Sequence, residues 1–253
     1  PDGYIEVTAD LVVGADGRHS TVRREAALEV IELGAPIDVL WMRVSRHDDD
    51  PEQTLGRLGA GRFMFMINRG EYWQCAFLIK KGSLESLKRS GIQTFREQVA
   101  AVAPFLGDRV FELGGWDDIN LLTVSIDRLS QWYRARLICI GDAAHSMSPI
   151  GGVGINLAIQ DAVAAARILA PALKNGKVNL EELRAVQRRR ELPTRLTQRG
   201  QVMVQDWLVN SVLESSEPPR IPVVMRLIRS WPSLRRITSH LIGLGFRPEH
   251  IVP

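Results

Sequence analysis

One segment constrains the fold of this chain more than any other, the run LICIGDAAHSMSPIGGVGINLAIQDA at residues 137–162. It opens with four apolar residues, which is typical of a strand buried on both faces, and this strand stops at Gly141 and Asp142. A glycine-rich loop follows, and then a long helix of small residues that begins near Gly154. The run therefore predicts a strand, a loop and a helix of an α/β fold, with the loop at the strand end where open α/β sheets bind ligands.

A shorter unit of the same kind occupies residues 9–25, ADLVVGADGRHSTVRRE. Its short apolar run predicts a buried parallel strand that ends in a loop containing Asp16 and Gly17. Ser20 is a residue type that caps helices, and it predicts a short helix over residues 21–28.

The residues of this shorter unit allow two interpretations. Gly17 permits a positive φ or a close approach to a ligand, Asp16 is an acceptor at a strand end, and Arg23 can reach a phosphate or an acidic residue. In the alternative, the segment is an ordinary strand, turn and helix in which Asp16 only caps the helix. The residues alone leave both interpretations open.

The region between the two units has a different pattern, because short apolar runs with tight connections predict an antiparallel sheet. Residues 68–71 are typical of a hairpin turn, and alternation places Phe63 and Phe65 on one face of a strand and Met64 and Met66 on the other. In this region, strands are predicted at 39–44, 63–67, 72–79 and 120–126, and a helix over 84–103 that is broken at Gly91 and ended by Pro104. One further strand is predicted at 5–8, before the first unit.

The last part of the chain is predicted to be helical. A helix begins near Asn179, Pro193 should kink or break it, and residues 188–190 are expected on its solvated face. Residues 215–219, SSEPP, indicate a loop or linker, and the basic tail from Arg220 is interleaved with apolar residues, as in amphipathic helices that pack on a domain. An α/β layer that is interrupted by an antiparallel sheet and then resumes predicts two interleaved domains.

Composition excludes several classes of protein. The chain is 45% hydrophobic and 24% charged, which is typical of a globular protein, and its net charge of +3 is too small to indicate nucleic acid binding. Cys75 and Cys139 match no metal or disulfide spacing, so we expect no metal site. The nearest candidate for a membrane helix is interrupted by polar residues and nothing directs export, so we expect a cytoplasmic protein with no membrane contact.

With both units in view, the chain resembles the FAD-dependent aromatic monooxygenases of the para-hydroxybenzoate hydroxylase and ubiquinone-biosynthesis hydroxylase type. Asp16 and Gly17, with Ser20 and Arg23, resemble the DG motif of that family. The GD motif of the family is resembled by Gly141 and Asp142. The proline–glycine–asparagine pattern that follows this motif is resembled by Pro149, Gly152, Gly154 and Asn156. The order of the motifs, on either side of an antiparallel region, also agrees with the family.

The resemblance implies the fold and its division into domains. The fold class is α/β, with α and β interleaved: part of an FAD-binding Rossmann-like domain, an inserted antiparallel-sheet substrate domain and C-terminal helices. The implied segments are the DG segment at 1–34, the substrate domain at 35–130, the GD segment and its helix at 131–175, and the helical region at 176–253.

The resemblance also implies how FAD is bound. Asp142 would bind the ribityl chain, and the backbone N–H groups of Ile155 and Asn156 would face the N1–C2=O edge of the flavin, whose reduced form is anionic. The backbone at Pro149 would line the reacting side. The remaining predicted cofactor-binding residues are the glycines that admit a bulky ligand and the DG residues that serve FAD and the nicotinamide donor: Gly141, Gly151, Gly152, Gly154, Asp16, Gly17 and Arg23.

The implied reaction uses NADPH or NADH and O2 to hydroxylate an aromatic or similar small organic substrate through a flavin C4a-hydroperoxide. No side chain is identified as catalytic, and His145 is expected to be a packing residue because no nucleophile or metal ligand accompanies it at motif spacing. Candidates for the wall of a substrate pocket, with plain core as the alternative for each, are Trp41, Phe63, Phe65, Trp73 and Phe77.

One departure from the family concerns the strand–GxGxxG–helix unit that binds the ADP part of FAD. This unit is absent from the sequence, so we expect that it precedes Pro1 and that the truncated chain alone binds FAD poorly. The alternatives are a flavin enzyme of the same fold with other chemistry, such as a halogenase or a reductase, and a non-catalytic remnant. The substrate, the choice of NADPH or NADH and the oligomeric state are not readable from the sequence.

Overall fold

The computed structural model describes residues 3, 5–215, 217 and 230–251. It divides the chain into two compact units: unit 1 contains the described residues of 1–34, 125–201 and 227–253, and unit 2 those of 35–124 and 202–226. The fold mixes helices with open sheets, which confirms the predicted fold class.

The helices and strands are numbered in chain order. They are β1 (Val12–Gly14), α1 (Thr21–Glu25), β2 (Val30–Glu32), β3 (Ile37–Ser45), β4 (Leu55–Gly59), β5 (Arg62–Asn68), β6 (Tyr72–Lys80), α2 (Leu84–Arg89), α3 (Ile92–Val102), β7 (Asn120–Leu122), β8 (Asp127–Leu129), β9 (Tyr133–Arg134), β10 (Leu137–Cys139), β11 (His145–Ser146), α4 (Gly154–Lys174), α5 (Leu180–Leu208) and α6 (Pro232–Gly243). Short 3₁₀ helices lie at Pro104–Glu112, Trp116–Asp118, Gly141–Ala143 and Ile150–Gly152, and a π-helical turn follows α5 at Val209–Leu213.

Unit 2 is built on a five-stranded antiparallel sheet with the strand order β4-β5-β6-β3-β7. Alternate side chains of the central strands form its core with the inner face of α3. Met64 and Met66 are completely buried, whereas Phe65 on the other face is 38% exposed, so the predicted alternation is confirmed. The strands predicted at 39–44, 63–67 and 72–79 and the hairpin between the last two are also confirmed, as is the break at Gly91, which separates α2 from α3 with φ of +87°.

Unit 1 contains two three-stranded sheets, β1-β10-β9 and β11-β8-β2. β1 and β10 are parallel, with Gly14 opposite Cys139, as the two predicted strand–loop–helix units require. The expected burial of β1 is wrong, because among the described residues it pairs with β10 alone and leaves Val12 and Val13 nearly half exposed. The helix predicted over 21–28 ends at Glu25, and Ala27 has a positive φ of +46°.

Two strand predictions are wrong in part or whole. Residues 5–8 are exposed and have no strand partner in the described chain. The strand predicted at 120–126 stops at Leu122, because side chains replace the ladder beyond it. Asp38 accepts a hydrogen bond from the N–H of Val124 at 3.1 Å, and Lys81 donates to the carbonyl of Val124.

The predicted break at Pro193 is wrong, since α5 runs through this residue, and the kink stays a prediction. Buried side chains on both sides of Pro193, among them Val186 and Gln198, pack the part of α5 that belongs to unit 1 and offset the local cost of proline. Residues 216, 218 and 219 of the predicted loop and residues 220–229 of the basic tail lie outside the described residues, whereas most of the rest of the tail is described and contains α6.

Helix α4 is the long small-residue helix that the sequence predicts. With the turn before it, residues 150–174 are long and apolar enough to cross a membrane by length and composition, with a mean hydropathy of 1.4. Only a third of this segment is buried, and its buried face carries Gln160 and Asp161, which hydrogen-bond inside unit 1.

Candidate functional site

The parallel pairing of β1 and β10 brings the two sequence motifs to the same edge of the sheet. Asp16 follows β1 and Asp142 follows β10, so both carboxylates lie beyond the carboxyl ends of neighbouring strands. Arg18 connects the motifs, because its Nη2 lies 3.7 Å from the Oδ2 of Asp142. The edge that the sequence predicted as a binding region is therefore assembled within unit 1.

Two glycines allow the elements of this edge to pack closely. A Cβ on Gly14 would lie 2.9 Å from Cγ1 of Val22, and one on Gly141 would lie 2.9 Å from Cβ of Ala158. Gly141 also has a φ of +58°, a conformation that glycine adopts without strain. The small side chains of α4 thus let the helix approach the backbone of the GD motif directly.

The carboxylate of Asp16 caps helix α1. It accepts hydrogen bonds from Oγ of Ser20 at 2.5 Å and from the N–H of Val22 at 3.1 Å, while Oγ of Ser20 accepts from the N–H of Arg23 at 2.9 Å. The bond from Ser20 is the largest cause that lowers the pKa of Asp16 below its ordinary value. The capping role that the sequence offered as an alternative is present in the structure.

Arg23 is paired with an acidic residue. Its Nη1 donates to Oδ1 of Asp127 at 3.1 Å and its Nη2 to the carbonyl of Arg18 at 2.6 Å, and its side chain is only 15% exposed. The sequence allowed a phosphate or an acidic residue as the partner of Arg23, and in the structure this partner is the acidic residue Asp127. The arginine thereby fixes the loop that carries Arg18 against β8.

The beginning of α4 presents backbone donors that have no partner among the described residues, and they lie beside the GD motif. The first hydrogen bond of the helix joins the N–H of Leu157 to the carbonyl of Val153, so the N–H groups of residues 154–156 precede the ladder. A Cβ on Gly154 would lie 4.0 Å from Oδ1 of Asp142. This helix end therefore favours a negative charge close to a carboxylate that can accept hydrogen bonds.

The side chains at this helix end differ in their surroundings. Ile155 is 67% exposed, and the amide of Asn156 donates to the carbonyl of Gly243 at 2.9 Å. Asn156 thus offers its backbone N–H, and not its side chain, to a ligand. Gly151 and Gly152, in the preceding turn, have φ values of +81° and +63°.

A buried ionic cluster that the sequence did not reveal lies under the GD motif. Asp161 of α4 is completely buried and accepts hydrogen bonds from the N–H of Gly141 at 3.1 Å and from Nε of Arg190 at 3.0 Å. Its Oδ2 lies 2.5 Å from Nε2 of His145. Burial raises the pKa of Asp161, but His145 and Arg190 lower it more, so this carboxyl is held below its ordinary pKa.

This cluster decides two sequence predictions. His145 is 1% exposed and bound to Asp161, so its expected packing role is confirmed. The solvated face predicted for residues 188–190 is wrong for Arg190, which is completely buried, because this side of α5 packs toward α4. The one sequence signal was an aspartate inside an alanine-rich helix, which needs a buried cation if its face is covered.

The aromatic residues of unit 2 separate into two groups. Trp73 and Phe77 lie in the core, edge-on to Phe105 and Phe95 respectively, so their prediction as pocket walls is wrong and the plain-core alternative is correct. Their side chains point to the covered face of the sheet because they share its alternation with the buried methionines. Trp41, Phe63 and Phe65 lie on the other face and are half-buried or exposed.

The comparisons with known proteins agree with the two motifs. The model of the FAD binding domain family matches residues 1–200. The chain belongs to the family of FAD-dependent aromatic monooxygenases. It is 34% identical over 241 residues to 6-methylpretetramide 4-monooxygenase of Streptomyces rimosus, an alignment that covers 93% of this chain and 57% of that protein.

Two crystal structures show the same fold. CabE, an aromatic hydroxylase from angucycline biosynthesis, is 20% identical with a TM-score of 0.66, and the match covers 98% of this chain and 50% of CabE. PqsL of Pseudomonas aeruginosa, solved in complex with 2-aminobenzoylacetate, is 21% identical with a TM-score of 0.64 over 81% of this chain and 56% of PqsL. The chain spans about half the length of these relatives.

The residues at the sheet edge fit the FAD of this family. FAD carries hydroxyl groups and a pyrophosphate, and the edge offers the acceptor Asp142, the free N–H groups of residues 154–156 and a cation. Nη1 of Arg18 is buried and finds no hydrogen-bond partner among the described residues, as expected of a group that awaits an acceptor. A side chain on Gly17 or Gly152 would meet no atom within 4 Å, so the backbone is open to a ligand there.

Proposed function

We propose that the protein containing this chain is an FAD-dependent monooxygenase that hydroxylates an aromatic or similar small organic molecule. The reaction consumes NAD(P)H, a proton, O2 and the substrate, and yields NAD(P)⁺, water and the hydroxylated product. The observation that supports it most is the free N-terminus of α4 beside Asp142, at the carboxyl ends of β1 and β10. We place the protein in the cytoplasm, where NAD(P)H and FAD are available.

The residues of the GD motif would bind and orient the cofactor. Asp142 accepts hydrogen bonds from the ribityl hydroxyls, and the N–H groups of Ile155 and Asn156 stabilise negative charge on the N1–C2=O edge. The backbone at Pro149 lines the reacting side. FAD itself supplies the redox chemistry, passing electrons from the nicotinamide to O2.

The DG segment would contribute mainly through its backbone and Arg18. The side chains of Asp16 and Arg23 are engaged by Ser20 and Asp127, whereas Gly17 exposes its backbone with φ of +83°. We propose that this open turn admits FAD and the nicotinamide donor, and that Arg18 offers its unpaired Nη1 to an acceptor on either molecule.

The second face of the sheet in unit 2 would supply an apolar wall for the substrate. Trp41, Phe63 and Phe65 lie on this face and retain exposed area. Aromatic side chains of this kind stack on flat rings. The name of the Streptomyces rimosus relative, 6-methylpretetramide 4-monooxygenase, describes a monooxygenation of an organic molecule, which supports this class of reaction.

The test uses the full-length gene product loaded with FAD. NAD(P)H oxidation and O2 uptake are followed while a panel of phenolic compounds is added, and products are analysed by mass spectrometry under ¹⁸O2. We expect one compound to stimulate NAD(P)H oxidation and to gain a single ¹⁸O atom. Flavin-loaded protein that saturates a carbon–carbon double bond, or halogenates a ring, without incorporating ¹⁸O contradicts the proposal and supports the alternative flavin chemistries.

A further inference from the structure

We infer that Gln201 is a positioning residue that fixes the backbone of residues 148–150, and through it the glycine turn at which FAD would bind. The inference rests on the proposed function, because it assigns this turn to the flavin. It concerns a residue of α5 that belongs to neither sequence motif.

The side-chain amide of Gln201 binds this backbone both as a hydrogen-bond acceptor and as a donor. Its Oε1 accepts from the N–H of Ser148 at 3.0 Å, and its Nε2 donates to the carbonyls of Ser148 and Ile150, both at 2.9 Å. Gln201 is 5% exposed and Ser148 is 2% exposed. The amide thus makes three hydrogen bonds to backbone groups, one as an acceptor and two as a donor, which pair these groups as a neighbouring β-strand would.

The turn has little else to hold it. Strand β11 ends at Ser146, and within the turn the bonds are local, from the N–H of Gly152 to the carbonyl of Pro149 and from the N–H of Ile150 to Oγ of Ser148. Among the residues that the structure describes, Gln201 provides the long-range hydrogen bonds of residues 147–153. Two glycines with left-handed φ follow directly, so the backbone would otherwise have wide freedom.

The same helix offers a matched control. Gln187 accepts from the N–H of Trp132 and donates to the carbonyl of Ser130, both at 3.0 Å. Like Gln201 it is almost fully buried and binds backbone in both directions. The two glutamines lie 14 residues apart on α5, about 21 Å along the axis, so Gln187 acts on a different loop.

The experiment compares Gln201→Met with Gln187→Met in the full-length gene product. Methionine keeps the length of the side chain and removes its hydrogen bonds. We expect Gln201→Met to accelerate amide hydrogen exchange at residues 148–156 and to weaken FAD binding, each by about tenfold or more, because at least two bonds to the turn are lost. Gln187→Met is expected to accelerate exchange at residues 130–132 and to leave the Kd for FAD within about twofold of wild type.

A measurement on the wild-type protein keeps the inference testable if Gln201→Met does not fold. The amide of Ser148 is expected to exchange slowly, and added FAD is expected to slow exchange at residues 150–156 but not at 130–132. A Ser148 amide that exchanges at the rate of an open chain overturns the inference.

The outcomes separate this inference from the proposed function. Wild-type protein that takes up no FAD contradicts the proposed function and, with it, the flavin role of this turn. Wild-type protein that binds FAD, with Gln201→Met binding it as tightly, overturns the inference alone and reduces Gln201 to a structural residue. Weakened binding in Gln201→Met but not in Gln187→Met supports the inference.

Discussion

The sheet of unit 2 and the GD segment of unit 1 are stabilised in different ways. The core of the sheet is apolar, with Met64, Met66 and Trp73 completely buried on one face. Under the GD motif, the buried groups are the ion pair of Asp161 and Arg190 and the glutamine that binds the following turn. Apolar burial makes a stable sheet without fixing any one backbone atom, whereas directed hydrogen bonds fix the backbone of the segment that we propose binds FAD.

The largest expected effect comes from removing the buried carboxylate of Asp161 under the GD motif. Asp161→Ala leaves Arg190, His145 and the N–H of Gly141 without their shared acceptor, so we expect the free energy of unfolding of unit 1 to fall by about 3–5 kcal/mol. Urea denaturation followed by hydrogen exchange of unit 1 amides measures this loss. Asp161→Asn keeps an acceptor oxygen, and a loss as large as that of alanine would show that the charge, and not the bond to Gly141, dominates.

The substitution Met64→Ala tests the apolar core of the sheet in unit 2. This change opens a cavity in the core of unit 2 and is expected to reduce the free energy of unfolding by about 3 kcal/mol. Because Met64 belongs to the apolar core of unit 2 and the GD segment to unit 1, we expect the folded protein to bind FAD with an unchanged Kd. A tenfold weaker Kd at a temperature where the variant is fully folded would remove the distinction between the two regions.

The close packing of the GD motif is tested by Gly141→Ala, with Gly82→Ala as its control in unit 2. Both glycines have a positive φ, but only at Gly141 would a Cβ lie 2.9 Å from another side-chain atom, that of Ala158. We expect a loss of about 2 kcal/mol at Gly141 and about 1 kcal/mol at Gly82, from thermal unfolding. Equal losses would mean that α4 can move away from the motif at no cost.

The smallest expected effect compares two serines before helices. Oγ of Ser20 accepts from the N–H of Arg23, whereas Ser83 makes no side-chain cap to α2. We expect Ser20→Ala to lower the free energy of unfolding by about 1 kcal/mol, and Ser83→Ala to change it little. Since Ser20 also donates to Asp16, its loss should raise the pKa of Asp16 toward the ordinary value, which an NMR titration of the carboxyl group measures.

Sequence reasoning succeeds where a pattern is local. The strands of unit 2 follow from alternation, and the two motifs follow from strands that end in Asp and Gly before a helix. The edge at which Asp16 and Asp142 lie also follows, because parallel strands present their carboxyl ends on the same side.

It fails where a polar side chain binds a distant segment. Arg190 lies on a helix whose composition indicates a solvated element, and it is placed by its hydrogen bond to Asp161 of α4, far away in sequence. Pro193 indicates a broken element, yet α5 continues through it. Gln201 has no periodicity that distinguishes it from an exposed glutamine, since its partners are backbone atoms about 50 positions earlier. Only coordinates reveal such bonds.

The most direct test of the account is an equilibrium titration of FAD against the full-length gene product and its Asp142→Ala variant, followed by flavin fluorescence. Asp108→Ala, an exposed carboxylate of unit 2, serves as the control. We expect one FAD per chain for wild type and Asp108→Ala, and a Kd about 10–100-fold higher for Asp142→Ala, because hydrogen bonds to a charged acceptor are lost. A folded Asp142→Ala protein that binds FAD as tightly as wild type would contradict it.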